Sequence, residues 1–208
     1  MNGTVGILNY GIGNVLSIKF AIEYLNYKCI SLNNLDEIDN VDSIILPGVG
    51  AFDEAIKFID ENNLRHKIIQ LINNKKIKII GICLGMQLAC NSSEESIFNI
   101  NGLGILEGKV KKISSAYKPP LNGWTKLRLC EHIISDEKYN FLSNKRVYLT
   151  HSYYCDIKND DSLALIKHNN FEYTAVVRKE NFIGLQFHPE KSGKEGIEIL
   201  KKILLYNL

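Results

Sequence analysis

Apolar and polar positions follow a strand-then-helix rhythm through the first half of the chain. Val5 to Tyr10 is a short, mostly apolar run that predicts a buried strand. A glycine-containing turn follows. Val15, Ile18, Ala21, Ile22 and Leu25 then share one face of a helix predicted from about Val15 to Leu25. Cys29–Leu32 and Ser43–Leu46 predict two further strands, and helical segments cover much of Phe52 to Asn73. Ile77–Ile82 predicts the next strand. This βαβ alternation implies a parallel sheet covered by helices, with functional groups at the C-terminal ends of its strands.

From about residue 103 the pattern shortens. Lys109–Ile113, Lys126–Leu129, Arg146–Thr150, Leu163–Lys167, Tyr173–Arg178 and Phe182–Phe187 read as strands with short links. Lys179-Glu180-Asn181 predicts a hairpin turn between the last two. The final segment predicts a helix. Ser192 with Glu195 fits a capping box, and Ile197, Leu200, Ile203 and Leu204 form its apolar stripe. The expected fold is α/β: a mostly parallel central sheet flanked by helices, with additional antiparallel strands in the C-terminal half. With no internal repeat or low-complexity linker, residues 1–208 read as one domain.

Composition narrows the function classes. A chain of 208 residues with 45% hydrophobic residues has enough length for a sizeable core. Its net charge of +2 is spread without a basic patch, so no nucleic-acid partner is expected. No apolar run approaches the roughly 18 residues of a membrane span. The chain opens on a strand-like segment, so no signal peptide is expected. Five cysteines without a Cys-x-x-Cys pair predict free thiols in a reducing, cytoplasmic setting. No Cys/His cluster has zinc spacing, so neither metal nor cofactor is expected. Gly11-x-Gly13 lacks the third glycine of a dinucleotide fingerprint, and that reading is rejected.

The chemistry concentrates in two segments. Gly81-Ile82-Cys83-Leu84-Gly85 follows a predicted strand and places a thiol on a tight turn into a helix. A helix N-terminus there would favour thiolate. Taken alone, such a motif is more often an inert core cysteine. Gln186-Phe187-His188-Pro189-Glu190, at the end of another predicted strand, changes the balance. Cys83, His188 and Glu190 supply nucleophile, base and orienting carboxylate in that chain order.

These segments resemble the class I (triad) glutamine amidotransferases. Within them the chain is similar to the family of glutaminase subunits of imidazole glycerol phosphate synthase. The resemblance extends through Asn9-Tyr10-Gly11-Ile12-Gly13-Asn14, Leu46-Pro47-Gly48-Val49-Gly50-Ala51-Phe52, Gly102-Leu103-Gly104, His151-Ser152-Tyr153 and Glu190-Lys191-Ser192. It implies catalysis by Cys83, His188 and Glu190, and an oxyanion hole drawn from Val49, Gly50 and Leu84. It also implies glutamine binding by Gln87, Glu95, Ser152 and Tyr153, with Glu94 as a one-position rival to Glu95. The partner it implies is a (β/α)₈-barrel cyclase forming a heterodimer with this chain, met by Asn14, Trp124 and Lys191. Ammonia would pass to that cyclase, which makes imidazole glycerol phosphate and aminoimidazole carboxamide ribotide in histidine biosynthesis. A lone tryptophan is more often core than interface; the Pro119-Pro120-Leu121-Asn122-Gly123-Trp124 stretch favours a surface turn. That stretch also departs from the family's Pro-His-Met-Gly-Trp pattern. A paralogue feeding ammonia to amidation of a bacterial surface or flagellar sugar therefore stays open. A cysteine hydrolase or peptidase, and a silent interaction subunit, are further alternatives.

Overall fold

The computed structural model describes residues 2–11, 14–33, 38–74, 77–157 and 160–205. Ile12 and Gly13 of the first glycine turn lie outside them. The first half runs β1 (Thr4–Leu8), α1 (Val15–Tyr24), β2 (Lys28–Leu32), β3 (Ser43–Leu46), α2 (Phe52–Glu61), α3 (Leu64–Asn74) and β4 (Lys78–Ile82). The second half runs α4 (Leu84–Gln87), β5 (Cys90–Ser93), β6 (Leu106–Lys112), β7 (Leu121–Leu129), β8 (Arg146–His151), β9 (Tyr153–Ile157), β10 (Ser162–His168), β11 (Phe171–Lys179), β12 (Phe182–Leu185) and α5 (Gly193–Leu205).

Among the described residues, nine strands form one mixed sheet in the order β2-β1-β3-β4-β12-β11-β10-β7-β8. The strands from β2 to β12 in that order are mutually parallel, and the antiparallel strands continue the same sheet outward from β12. Side chains alternate across it, as a period of two requires. Ile45, Ile80 and Ile82 pack with α1 and α5 on one face, while Ile44, Leu46 and Ile79 pack with α2 and α3 on the other. Each such fully buried isoleucine contributes roughly 1.5–3 kcal/mol. A second sheet, β5-β6-β9, stands beside the first.

The helices follow their sequence cues. Asn14 caps α1 by accepting the Ser17 N–H at 3.3 Å. Phe52, Ala55, Ile56 and Ile59 are the buried stripe of α2. The break before α3 falls at Asn63, whose φ of 56° lies in the left-handed region that asparagine tolerates. The predicted turn between β11 and β12 is present, with Glu180 at φ 53°.

Four expectations change. The helix after Cys83 is a single four-residue turn, so a long helix dipole is not what favours thiolate there. The chain instead re-enters a strand, β5, which the pattern did not predict; β9 was also missed. Ser192 and Glu195 do not form a capping box. The Ser192 hydroxyl donates to the His188 carbonyl at 2.6 Å and accepts the Tyr148 N–H at 2.9 Å, while Glu195 accepts the Arg146 N–H. Trp124 lies within strand β7 rather than in a turn.

Candidate active site

The end of β4 delivers Cys83 in a strained conformation, φ 50° and ψ −102°, which few side-chain-bearing residues adopt. Surrounding bonds hold it there. The Cys83 N–H donates to the Leu185 carbonyl at 2.6 Å, and the Cys83 carbonyl accepts from Met86 and Gln87 at 3.0 and 3.1 Å. The elbow needs its glycines for space. A Cβ on Gly85 would stand 2.1 Å from the Leu46 carbonyl oxygen, and one on Gly81 would stand 2.6 Å from the Gly85 oxygen.

Strand β12 runs parallel beside β4, with Leu185 opposite Ile82. The chain beyond it therefore brings His188 to the same end of the sheet as Cys83. His188 Nδ1 lies 2.8 Å from Glu190 Oε1, with the two side chains only 2% and 1% exposed. The acceptor carboxylate fixes the proton on Nδ1 and leaves Nε2 for the thiol. Nε2 is buried and meets no hydrogen-bonding geometry among the described residues. The Cys83 side chain is nonetheless near enough to act on the ring. Burial alone would lower the imidazole's pKa; the Cys83 sulfur and the Glu190 carboxylate overcome it and push the pKa up to about 9. The arrangement favours the imidazolium form of His188 beside the Cys83 side chain.

Cys83 opens onto a cavity of about 230 Å³. Val49, Gly50 and Leu84, expected around the oxyanion, line it, as do Gln87, Glu95, Ser152 and Tyr153. The strand end carrying Val49 presses directly on the elbow: a Cβ on Gly48 would fall 1.6 Å from the Ile82 carbonyl oxygen. The preceding Pro47 carbonyl accepts the buried Tyr10 hydroxyl.

Glu95 rather than Glu94 faces the cavity. Glu95 accepts the Phe52 N–H at 3.3 Å, and burial raises its pKa, with a further push from Asp53. Glu94 turns away, accepting the Lys112 N–H at 2.9 Å and pairing with Lys109 at 3.5 Å. Elsewhere in the lining the Tyr153 carbonyl accepts from Gln87 Nε2 at 3.0 Å and from His151 Nδ1 at 2.8 Å. His151 Nε2 in turn meets the Tyr173 hydroxyl at 3.2 Å. Burial lowers the pKa of His151 to about 4, so it stays neutral and serves as a fixed donor and acceptor.

His151, Tyr173 and Gln186 were not singled out from the sequence. Gln186 had a usable signal: positions 186 and 188 of an extended segment point the same way. Among the proposed partner-facing residues, Asn14 is occupied as a helix cap and Lys191 is exposed beyond the catalytic turn. Trp124 is 51% exposed, with its ring edge-on to Tyr148 and the Arg146 guanidinium 5.7 Å from its centroid. None of the three lines the cavity.

Comparison with known proteins agrees with this geometry. The family described as "Glutamine amidotransferase class-I" matches residues 7–206. The imidazole glycerol phosphate synthase subunit HisH of Oceanobacillus iheyensis is 41% identical over 199 residues, covering 95% of this chain and 96% of the relative. The HisH subunit of Leptospira interrogans is 34% identical over 204 residues, covering 95% and 97%. The solved structure of PurLQS from Thermotoga maritima shares the fold, with a TM-score of 0.75 at 19% identity and 98% coverage of each chain. A family match across nearly the whole chain, and relatives similar along their full length, show that the chain belongs to the class-I glutamine amidotransferases and, within them, to the HisH family.

Proposed function

We propose that this chain hydrolyses glutamine with a Cys83-His188-Glu190 triad and supplies the ammonia to a synthase partner. The observation that carries the chemistry is the His188–Glu190 pair, 2.8 Å apart and buried, beside a strained cysteine that opens onto a cavity of about 230 Å³. The Cys83 sulfur attacks the side-chain amide carbon of glutamine. Negative charge moves to the amide oxygen, where N–H groups around Leu84 and the Val49–Gly50 strand end stabilise it. His188 protonates the departing nitrogen as the C–N bond breaks, leaving a glutamyl thioester and ammonia. It then takes a proton from water, which attacks the thioester and releases glutamate and the thiolate. Glu190 keeps the imidazole oriented throughout. Glu95 pairs with the substrate ammonium, and backbone groups at Ser152 and Tyr153 hold its carboxylate.

The HisH kinship favours a (β/α)₈-barrel cyclase of histidine biosynthesis as the partner over a sugar-modifying synthase. The two chains form a heterodimer, and ammonia reaches the cyclase site in its neutral form, since ammonium is no nucleophile. The surface around Trp124, Lys191 and Asn14 is the docking face. Five free cysteines and a biosynthetic role suit the cytoplasm.

The test is glutamate release from glutamine by the chain alone, with the organism's own cyclase, and with cyclase plus the phosphoribosyl intermediate. Strong stimulation by the complete mixture is expected. Glutaminase activity indifferent to cyclase and intermediate would overturn the choice of partner. Release from peptides rather than from glutamine would overturn the substrate.

A further inference from the structure

The side chain of Gln186 is fully buried and not used by the triad chemistry. It occupies a particular place. Strand register puts Leu185 opposite Ile82, so Gln186 and Cys83 are the next neighbours across the two central strands. The Gln186 amide Nε2 donates toward Cys83 Sγ at 3.7 Å. Its Oε1 accepts from Gln87 Nε2 at 3.4 Å, and that same nitrogen donates to the Tyr153 carbonyl. Both amide orientations agree: the carbonyl end has a donor and the N–H end has the sulfur.

We propose that Gln186 is a positioning residue for the nucleophile, donating its amide N–H to the Cys83 sulfur in the anionic form. A hydrogen bond to a charged acceptor is roughly twice as strong as one between neutral groups, so a buried amide here favours thiolate over thiol. It also fixes where the sulfur points. Through Gln87 it ties the nucleophile to the Tyr153 wall of the cavity. This local donor takes the part that a one-turn helix is too short to play. A purely structural side chain could fill the volume without an N–H aimed at sulfur. The proposal rests on Cys83 being the nucleophile.

The test uses the complex with the cyclase and its phosphoribosyl intermediate, comparing wild type, Gln186→Met, Gln186→Glu and Cys83→Ala. Met keeps the length and removes the donor. Glu keeps the shape, but its carboxyl is the stronger acid, takes the negative charge and leaves sulfur as thiol. Alkylation of Cys83 by iodoacetamide, read by peptide mass spectrometry, should be about tenfold slower in both variants near pH 7 and equal to wild type near pH 10. Turnover should fall roughly 10- to 100-fold with KM changed less than about threefold. Unchanged alkylation across pH in a folded variant would overturn the proposal, even if turnover fell, because it would leave only a packing role. If Gln186→Met does not fold, the shape-matched Glu variant decides by the same profile. Glutaminase activity surviving in Cys83→Ala would instead defeat the nucleophile assignment itself.

Discussion

Cys83, Gln186 and His188 stand on the ends of two neighbouring parallel strands, whereas Glu95, Ser152 and Tyr153 come from the edges of the small β5-β6-β9 sheet. The first group is nearly dry, with Cys83 6%, Gln186 0% and His188 1% exposed. The second is half-open: Glu95, Ser152 and Tyr153 are each only partly buried. Bond-making groups need fixed distances and a low dielectric, which adjacent central strands provide. Groups that admit and hold a charged amino acid need access to solvent, which a sheet edge provides. Changes in the central strands should therefore act on turnover, and changes in the small sheet on substrate affinity.

The largest break should come from Cys83→Ala. Glutamate release by the complete complex should fall by at least about 10⁴-fold, with the fold intact by circular dichroism. Glu190→Gln should cost roughly 10²- to 10⁴-fold in kcat, since the carboxylate no longer fixes the imidazole tautomer. The same variant carries a pH signature. His188 has a pKa of about 9 in the fold against 6.5 for the free side chain. Its folded pKa is the higher one, so its protonated form contributes stability fully present below 6.5 and lost as pH rises through about 9. The melting temperature of wild type should fall across that window, and that of Glu190→Gln should fall less. Equal slopes would remove Glu190 as the partner that raises His188.

Glu95→Gln sharpens the contrast from the other side. It should raise KM for glutamine about 10- to 100-fold, the scale of a lost charged hydrogen bond, and leave kcat within a few-fold. A kcat loss at unchanged KM would erase the distinction between the two regions. Trp124→Ala should have the smallest effect on the chain itself, below about 1 kcal/mol in unfolding free energy for so exposed a ring. It should weaken cyclase binding, measured by calorimetry, by roughly tenfold or more if Trp124 anchors the interface.

The same division explains what the sequence revealed. Gly81 to Gly85 and Gln186 to Glu190 are short covalent stretches, so their spacing alone displays an elbow and a histidine with its carboxylate two residues on. Short, continuous apolar runs located most of the parallel strands, because β1, β3, β4 and β12 are buried on both faces. β5 and β9 escaped because Cys90–Ser93 is short and polar and Tyr153–Ile157 is half-exposed along most of its length. The one-turn α4 was hidden for a related reason: Leu84–Gln87 is apolar enough to begin a longer helix, and tertiary pairing of β5 with β6 ends it. Ser192 looked like a cap by spacing, but a hydroxyl between two buried backbone groups satisfies both at once. His151 and Tyr173 touch only in three dimensions, and nothing in their sequence neighbourhoods announces the bond between them.

The most direct measurement is covalent labelling of the intact complex with a glutamine-mimicking diazoketone, followed by mass spectrometry of the whole chain and its peptides. A single adduct on Cys83, suppressed by glutamine and slowed in Glu190→Gln, is expected. An active complex that gains no adduct, or gains its inactivating adduct on another of the five cysteines, would contradict it.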